Sequence, residues 1–208
     1  MAVSAAEAPP PVIQHPPVAA DRTSTGLNHR KVLMWAFLGS DCMFFASLIS
    51  NFQVQRGRSL NPPYPKDIIN IPFTSVSTFA LLMSSLMMVL ALAAIQRGDV
   101  RGMKIWILAC AFLGALFLGG QFYEFTGFVQ SGLKLSTNLF GASFFILTGF
   151  HGTHVTIGVI WLISVYYAAA RGRITQKDSL SVELAGLYWH FVDIVWVAIF
   201  TIVYLLGT

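Results

Sequence analysis

A carboxylic acid lies in the middle of an apolar stretch near the start of this sequence. Asp41 is the only formal charge between Lys31 and Arg56. An ionisable side chain buried in hydrocarbon costs several kcal/mol, so it needs a partner or a function. Burial favours a neutral carboxyl, hydrogen-bonded to a neighbouring helix or to a lipid headgroup. A structural carboxyl and a proton carrier are the two interpretations of Asp41.

Two further apolar stretches carry imidazoles and acids at helical spacing. His151 and His154 are three residues apart and share a face of a predicted helix, whereas Glu183, His190 and Asp193 fall on a narrow arc of a later one. The histidine pair resembles half of a metal site, but it lacks the glutamate of an HExxH motif. We therefore expect a hydrogen-bonded polar cluster between these two helices in preference to a metal site.

A third polar pair lies towards the end of another apolar stretch. Gln121 and Glu124 are three residues apart and share a helix face. The position of Glu124 is close to the predicted end of its helix. We therefore expect Glu124 to be a snorkelling or capped carboxylate near the membrane surface.

The composition indicates whether these groups lie in a soluble protein or in a membrane protein. Of 208 residues, 55% are hydrophobic and 11% are charged, and the mean hydropathy is +0.67. Soluble domains carry roughly 25% charged residues, so these values indicate a membrane protein. The net charge of +4 reports topology and anionic lipid, and does not predict a nucleic-acid partner. Cys42 and Cys110 lie in apolar stretches and predict no disulfide framework.

The intervals between charges each accommodate one spanning helix of about 20 residues. The sequence therefore predicts an all-α integral membrane bundle of five transmembrane helices. The predicted helices lie near 31–53, 72–95, 104–128, 139–169 and 182–206. Residues 1–30, rich in Pro and Ala, are predicted to form a disordered tail before this five-helix domain of residues 31–208. The proline-containing linker over 53–70 is expected outside the bilayer.

Orientation follows from the distribution of Lys and Arg. Nine of these residues fall in the tail and in the loops after the second and fourth helices, and four fall on the opposite side. The positive-inside rule therefore predicts a cytoplasmic N-terminus and a C-terminus outside.

Four polar segments, in this order along the chain, resemble subunit III of the haem-copper respiratory oxidases. They are Gly39–Phe45, Gln121–Glu124, Thr148–Gly158 and Tyr188–Trp196, the last of which includes Trp189. The resemblance covers the chain after the tail. The five-helix count is similar to the shorter bacterial form, which lacks the first two helices of the seven-helix version.

The resemblance implies a non-catalytic subunit of a proton-pumping terminal oxidase in the bacterial cytoplasmic membrane. Haem and copper would lie in partner subunits I and II, with none in this chain, and phospholipid would occupy a cleft between its helices. Asp41 takes the place of an intramembrane glutamate near that lipid. The family's polar stripe corresponds to His151, His154, Glu183, His190 and Asp193.

The resemblance leaves the electron donor of the complex open. The Ser40-Asp41-Cys42 segment is similar to some quinol oxidase members, whereas Tyr188–Asp193 is similar to the cytochrome c type. We favour cytochrome c as donor to the complex, with quinol as the alternative. Other hypotheses are a five-helix homologue associated with nitric oxide reductase, a stand-alone membrane metalloenzyme, and a small proton or solute carrier.

Overall fold

A computed structural model of the chain describes residues 26–55, 71–133, 135–136 and 138–206. Within these ranges it contains no β-strand, and five helices are long and apolar enough to cross a membrane. They are α1 (His29–Gln55), α2 (Ile71–Gln96), α3 (Val100–Gln130), α4 (Leu139–Ala170) and α5 (Ser179–Ile199). A 3₁₀ turn, Gln176–Asp178, precedes α5, and a π-helical segment, Phe200–Leu205, follows it. The all-α, five-helix prediction is confirmed.

Capping groups set the ends of the helices. The sequence predicts the third helix from Lys104, the last charge before the third apolar stretch. Helix α3 instead begins at Val100, because the Asp99 carboxylate accepts a hydrogen bond of 2.8 Å from the backbone N–H of Gly102. Gly98 ends the preceding helix with a φ of +82°, a left-handed conformation that favours glycine. Residues 56–70 and 1–25, which hold most of the predicted linker and tail, lie outside the described residues.

Four of the helices form a closed ring. Helix α2 packs against α3, α3 against α4, α4 against α5, and α5 back against α2. Helix α1 packs on the outside of this ring, against α4 and α5. The α2–α3 face is therefore on the side of the ring opposite to α1.

The centre of the ring is filled by aromatic side chains of α5 that lie against glycines. Trp189 is 1% exposed, and a Cβ atom added to Gly114 of α3 would lie 2.5 Å from Cη2 of its ring. A Cβ added to Gly158 of α4 would lie 2.9 Å from the same ring. These two glycines allow α3 and α4 to approach α5 around one tryptophan.

Candidate functional site

Asp41 of α1 and His154 of α4 form a contact between the outer helix and the ring. The His154 Nε2 atom lies 3.4 Å from Asp41 Oδ1, and both side chains are largely buried. The Nδ1 atom of His154 lies 2.8 Å from the carbonyl oxygen of Phe150. Because a carbonyl only accepts hydrogen bonds, Nδ1 carries a hydrogen. The contact between Nε2 and the carboxyl is therefore favourable when one further proton lies on either group.

His151 does not join this contact, although it lies one turn away. Its ring is fully buried and stacks on Trp196 of α5, with ring centroids 4.9 Å apart. The ring of Phe45 contacts both imidazoles, at 6.3 Å from His151 and 5.0 Å from His154. Neither ring nitrogen of His151 has a hydrogen-bond partner among the described residues. His151 thus packs as an aromatic side chain between α1 and α5.

His190 and Asp193 of α5 contact a helix that the sequence analysis did not assign to them. The hydroxyl of Ser85 on α2 donates to Asp193 Oδ2 at 2.6 Å, and His190 Nδ1 lies 3.3 Å from the same hydroxyl oxygen. The expected hydrogen-bonded cluster between helices four and five is therefore not formed by the described residues. His190 and Asp193 meet α2, His154 and Glu183 meet α1, and the ring nitrogens of His151 have no partner within the described ranges. Helical spacing predicted that His190 and Asp193 share a face, but it could not predict which neighbour that face meets.

The same α2 surface binds the indoles of α5. Trp189 Nε1 donates to Ser84 Oγ, and Trp196 Nε1 donates to Thr78 Oγ1, each at 2.9 Å. These hydroxyl partners were missed by sequence reasoning. The signal was a series of hydroxyl side chains near one face of an otherwise apolar helix: Thr74, Thr78, Ser84 and Ser85.

Glu183 forms an ion pair near the start of α5. Its Oε1 atom lies 2.6 Å from Lys31 Nζ of α1, and both side chains are about one-third exposed. Further along α5, the Tyr188 hydroxyl donates to the carbonyl oxygen of His154 on α4 at 3.0 Å. Glu183 therefore helps to hold α1 at the end of the bundle where α5 begins.

Glu124 is buried, which corrects the expectation of a snorkelling carboxylate. It is 6% exposed, and the Thr74 hydroxyl of α2 donates to its Oε1 atom at 2.5 Å. Gln121 is equally buried on the same face of α3, and the hydroxyl of Tyr204, in the segment after α5, lies near Gln121 and Glu124. The π-helical segment therefore brings Tyr204 into a polar group at the end of the ring where α2 begins.

Taken together, these polar side chains join pairs of helices. Asp41 and His154 join α1 to α4, Lys31 and Glu183 join α1 to α5, Ser85 joins α2 to Asp193, and Thr74 joins α2 to Glu124. In the part of the chain that the structure describes, no three His, Cys, Asp or Glu side chains form a group suited to a metal ion. What the arrangement provides chemically is cohesion between helices in a medium that offers no competing water.

Comparisons with known proteins agree with the family resemblance that the four polar segments indicate. A family model described as cytochrome c oxidase subunit III matches residues 23–208. Quinol oxidase subunit 3 of Bacillus spizizenii is 38% identical over 173 residues, which cover 83% of this chain and 85% of that protein. Cytochrome c oxidase subunit 3 of Bacillus sp. PS3 is 35% identical over 192 residues, covering 92% and 93%.

Relatives named as quinol oxidase subunits and relatives named as cytochrome c oxidase subunits thus both match most of the chain. A further one, cytochrome c oxidase subunit 3 of Alkalihalophilus pseudofirmus, is 39% identical over 174 residues, covering 83% of this chain and 84% of that protein. The family match, together with the five apolar helices, makes this a multi-pass membrane protein that forms a complex with other oxidase subunits. The chain belongs to the cytochrome c oxidase subunit III family of the haem-copper oxidases.

Proposed function

We propose that this chain is the non-catalytic subunit III of a proton-pumping haem-copper oxidase of aerobic respiration. It docks against subunits I and II, which hold the haem and copper and perform the redox chemistry. The observation that carries this proposal is the use of its intramembrane acids. Asp41, Glu124 and Asp193 each contact a side chain of another helix within the chain. One oxygen of each carboxyl group is thus engaged in a contact between helices, and such contacts fix an architecture.

The architecture stabilises subunit I and supports its proton uptake. Helix α1 is held by His154 of α4 and by Glu183 of α5. In this proposal, phospholipid binds beside these three helices. A protein wall with bound lipid keeps the neighbouring subunit in its working conformation during turnover. This role requires no reaction in the chain itself.

The proposed location is the bacterial cytoplasmic membrane, with the N-terminus in the cytoplasm. The antiparallel helices bring the start of α1, the α2–α3 turn and the α4–α5 connection to one end of the bundle. The Gln176 side chain joins two of these segments by donating to the Gln96 carbonyl at 2.7 Å. This end carries Arg30, Lys31, Arg97, Arg101, Lys104, Arg171, Arg173 and Lys177. The positive-inside rule assigns such an end to the cytoplasm.

Cytochrome c is the donor that we propose for the complex. The second candidate is quinol, which is supported by relatives named quinol oxidase subunit 3 at comparable identity. In either case the donor reacts with the partner subunits.

The proposal is tested by purifying the protein from its native membranes with its partners attached. We expect subunits I and II to co-purify. The complex should show redox difference spectra of haem and should consume oxygen when reduced cytochrome c is supplied as electron donor. Oxygen consumption with quinol but not with cytochrome c as electron donor would overturn the donor assignment. Co-purification with a nitric oxide reductase, or turnover by this chain without companions, would overturn the oxidase proposal.

Replacement of His190 by Leu tests the architectural role directly. The change removes the contact to Ser85, so we expect a looser complex or a shorter working life with an unaltered haem spectrum. The matched control is Ile194→Leu, because Ile194 lies on the same helix and is 68% exposed. Loss of haem from an intact His190→Leu complex would contradict the role.

A further inference from the structure

An apolar groove runs along the outer surface of the α2–α3 pair. It has a volume of about 660 Å³. Its floor consists of small residues, among them Ala80, Ala115 and Gly119, and its walls include Phe73, Phe112 and Tyr123. We call this surface the α2–α3 groove. It lies on the side of the ring opposite to α1, away from the contacts that α1 makes with α4 and α5.

The α2–α3 groove opens at one end into a polar mouth. This second cavity has a volume of about 490 Å³ and shares the walls Phe73 and Tyr123 with the groove. Glu124, Gln130 and Ser131 line it. The mouth lies where α2 begins and α3 ends, at the end of the bundle remote from the basic loops.

A carboxyl group in the mouth has unused hydrogen-bonding capacity. Glu124 is 6% exposed, and its Oε1 atom accepts from Thr74. Its Oε2 atom is buried and has no hydrogen-bond partner among the described residues. A buried carboxylate oxygen without a donor is costly, and a cationic donor satisfies it best. The mouth therefore fits a positively charged hydrogen-bond donor.

The length of the α2–α3 groove fits one lipid acyl chain. Phe112 and Tyr123 bound the groove on α3, and at 1.5 Å per residue they are about 16 Å apart along the helix axis. This distance is about half of the roughly 30 Å hydrocarbon core, which is one leaflet. A second apolar cavity between α3 and α4 shares Phe112 with the groove and continues along α3 to Ile105. The polar mouth, and not the length of the groove, therefore favours a lipid over a partner helix.

We propose that the α2–α3 groove and its mouth bind one phospholipid with a primary ammonium headgroup. The acyl chain lies on the small-residue floor, and the ammonium group donates to Glu124 Oε2. The ring pair Phe73 and Tyr123, with centroids 5.5 Å apart, lies where headgroup and chain meet. Charge complementarity selects the ammonium lipid over an anionic lipid with the same chains.

Two substitutions separate the acyl and headgroup parts of this site. Gly119→Leu places a side chain in the groove, and it is compatible with the fold because a Cβ atom at Gly119 meets no atom within 4 Å. Gly39→Leu on α1 is the matched control, since its Cβ position is equally open and lies on another face. Glu124→Gln keeps an oxygen for Thr74 and removes the charge.

The experiment uses the intact oxidase complex in vesicle-derived nanodiscs. The probes are phosphatidylethanolamine and phosphatidylglycerol with identical acyl chains, and native mass spectrometry counts the lipids retained after a detergent wash. We expect Gly119→Leu to lose one phosphatidylethanolamine per complex, while Gly39→Leu retains it. Glu124→Gln should weaken retention of phosphatidylethanolamine roughly tenfold and leave phosphatidylglycerol unchanged.

Three results would overturn the proposal. The first is an unchanged lipid count in Gly119→Leu. The second is equal loss of both lipids in Glu124→Gln. The third is a crosslink from a photoreactive residue at position 119 to a helix of another subunit or to quinol. Each is measured in a complex that still contains haem, so failure of this site is distinct from failure of the proposed oxidase function.

Discussion

Helices α1 and α5 are similarly apolar, yet they occupy different environments. Trp189 of α5 is 1% exposed, whereas Trp35 of α1 is 61% exposed. Helix α5 contacts α1, α2 and α4, while α1 is buried along one stripe that contains Leu38, Asp41 and Phe45. Lipid is as apolar as a protein interior, so hydropathy identifies both as spanning helices without distinguishing them. Substitutions that probe packing should therefore separate the two.

The largest effect is expected at the glycine that faces Trp189. Gly114→Ala adds a Cβ atom that would lie 2.5 Å from the Trp189 ring and 3.1 Å from Val159 Cγ2. We expect the overpacking to cost about 1–3 kcal/mol and to lower the yield of assembled complex. Thermal unfolding in detergent measures the cost. The control is Gly39→Ala of α1, whose added atom meets nothing within 4 Å; equal losses in both variants would remove the distinction between centre and periphery.

A smaller effect is expected at the contact between Asp41 and His154. Asp41→Ala removes the partner of His154 Nε2 and should cost about 1 kcal/mol, as interhelical hydrogen bonds in membranes do. Asp41→Asn should cost less, because an amide N–H can donate to the neutral Nε2. A double-mutant cycle with His154→Leu measures the coupling, and Ser40→Ala, at an exposed neighbour, serves as control. If Asn is as costly as Ala, the pair is ionised instead of neutral.

The smallest effect is expected at the ion pair between Lys31 and Glu183. Both side chains are about one-third exposed, and solvent screening limits such pairs to roughly 0.5 kcal/mol. A double-mutant cycle of Lys31→Gln and Glu183→Gln should give a coupling that decreases further at high salt. A larger, salt-independent coupling would show that α1 is held at this end as firmly as α5 is held in the ring.

The polar residues show which features of the site could be predicted from the sequence. The shared face of His190 and Asp193 was predictable, because helix geometry fixes the angle between residues three apart. Their contact with Ser85 was not, since the partner lies 105 and 108 residues away along the chain. The prediction that Glu124 is a snorkelling carboxylate was wrong for a related reason. Glu124 is near a helix end in the sequence, but Thr74 of α2 donates to it and Tyr204 lies near it.

The sequence by itself determined the solvent, the number of helices and the residues that need partners. Runs of apolar residues and rare charges suffice for this, because each spanning helix satisfies its own backbone hydrogen bonds. Only the tertiary structure decided that α1 lies outside a four-helix ring and that Trp189 fits against Gly114 and Gly158. Which helices meet depends on the shapes of facing surfaces, and in a uniformly apolar medium those shapes leave no trace in hydropathy.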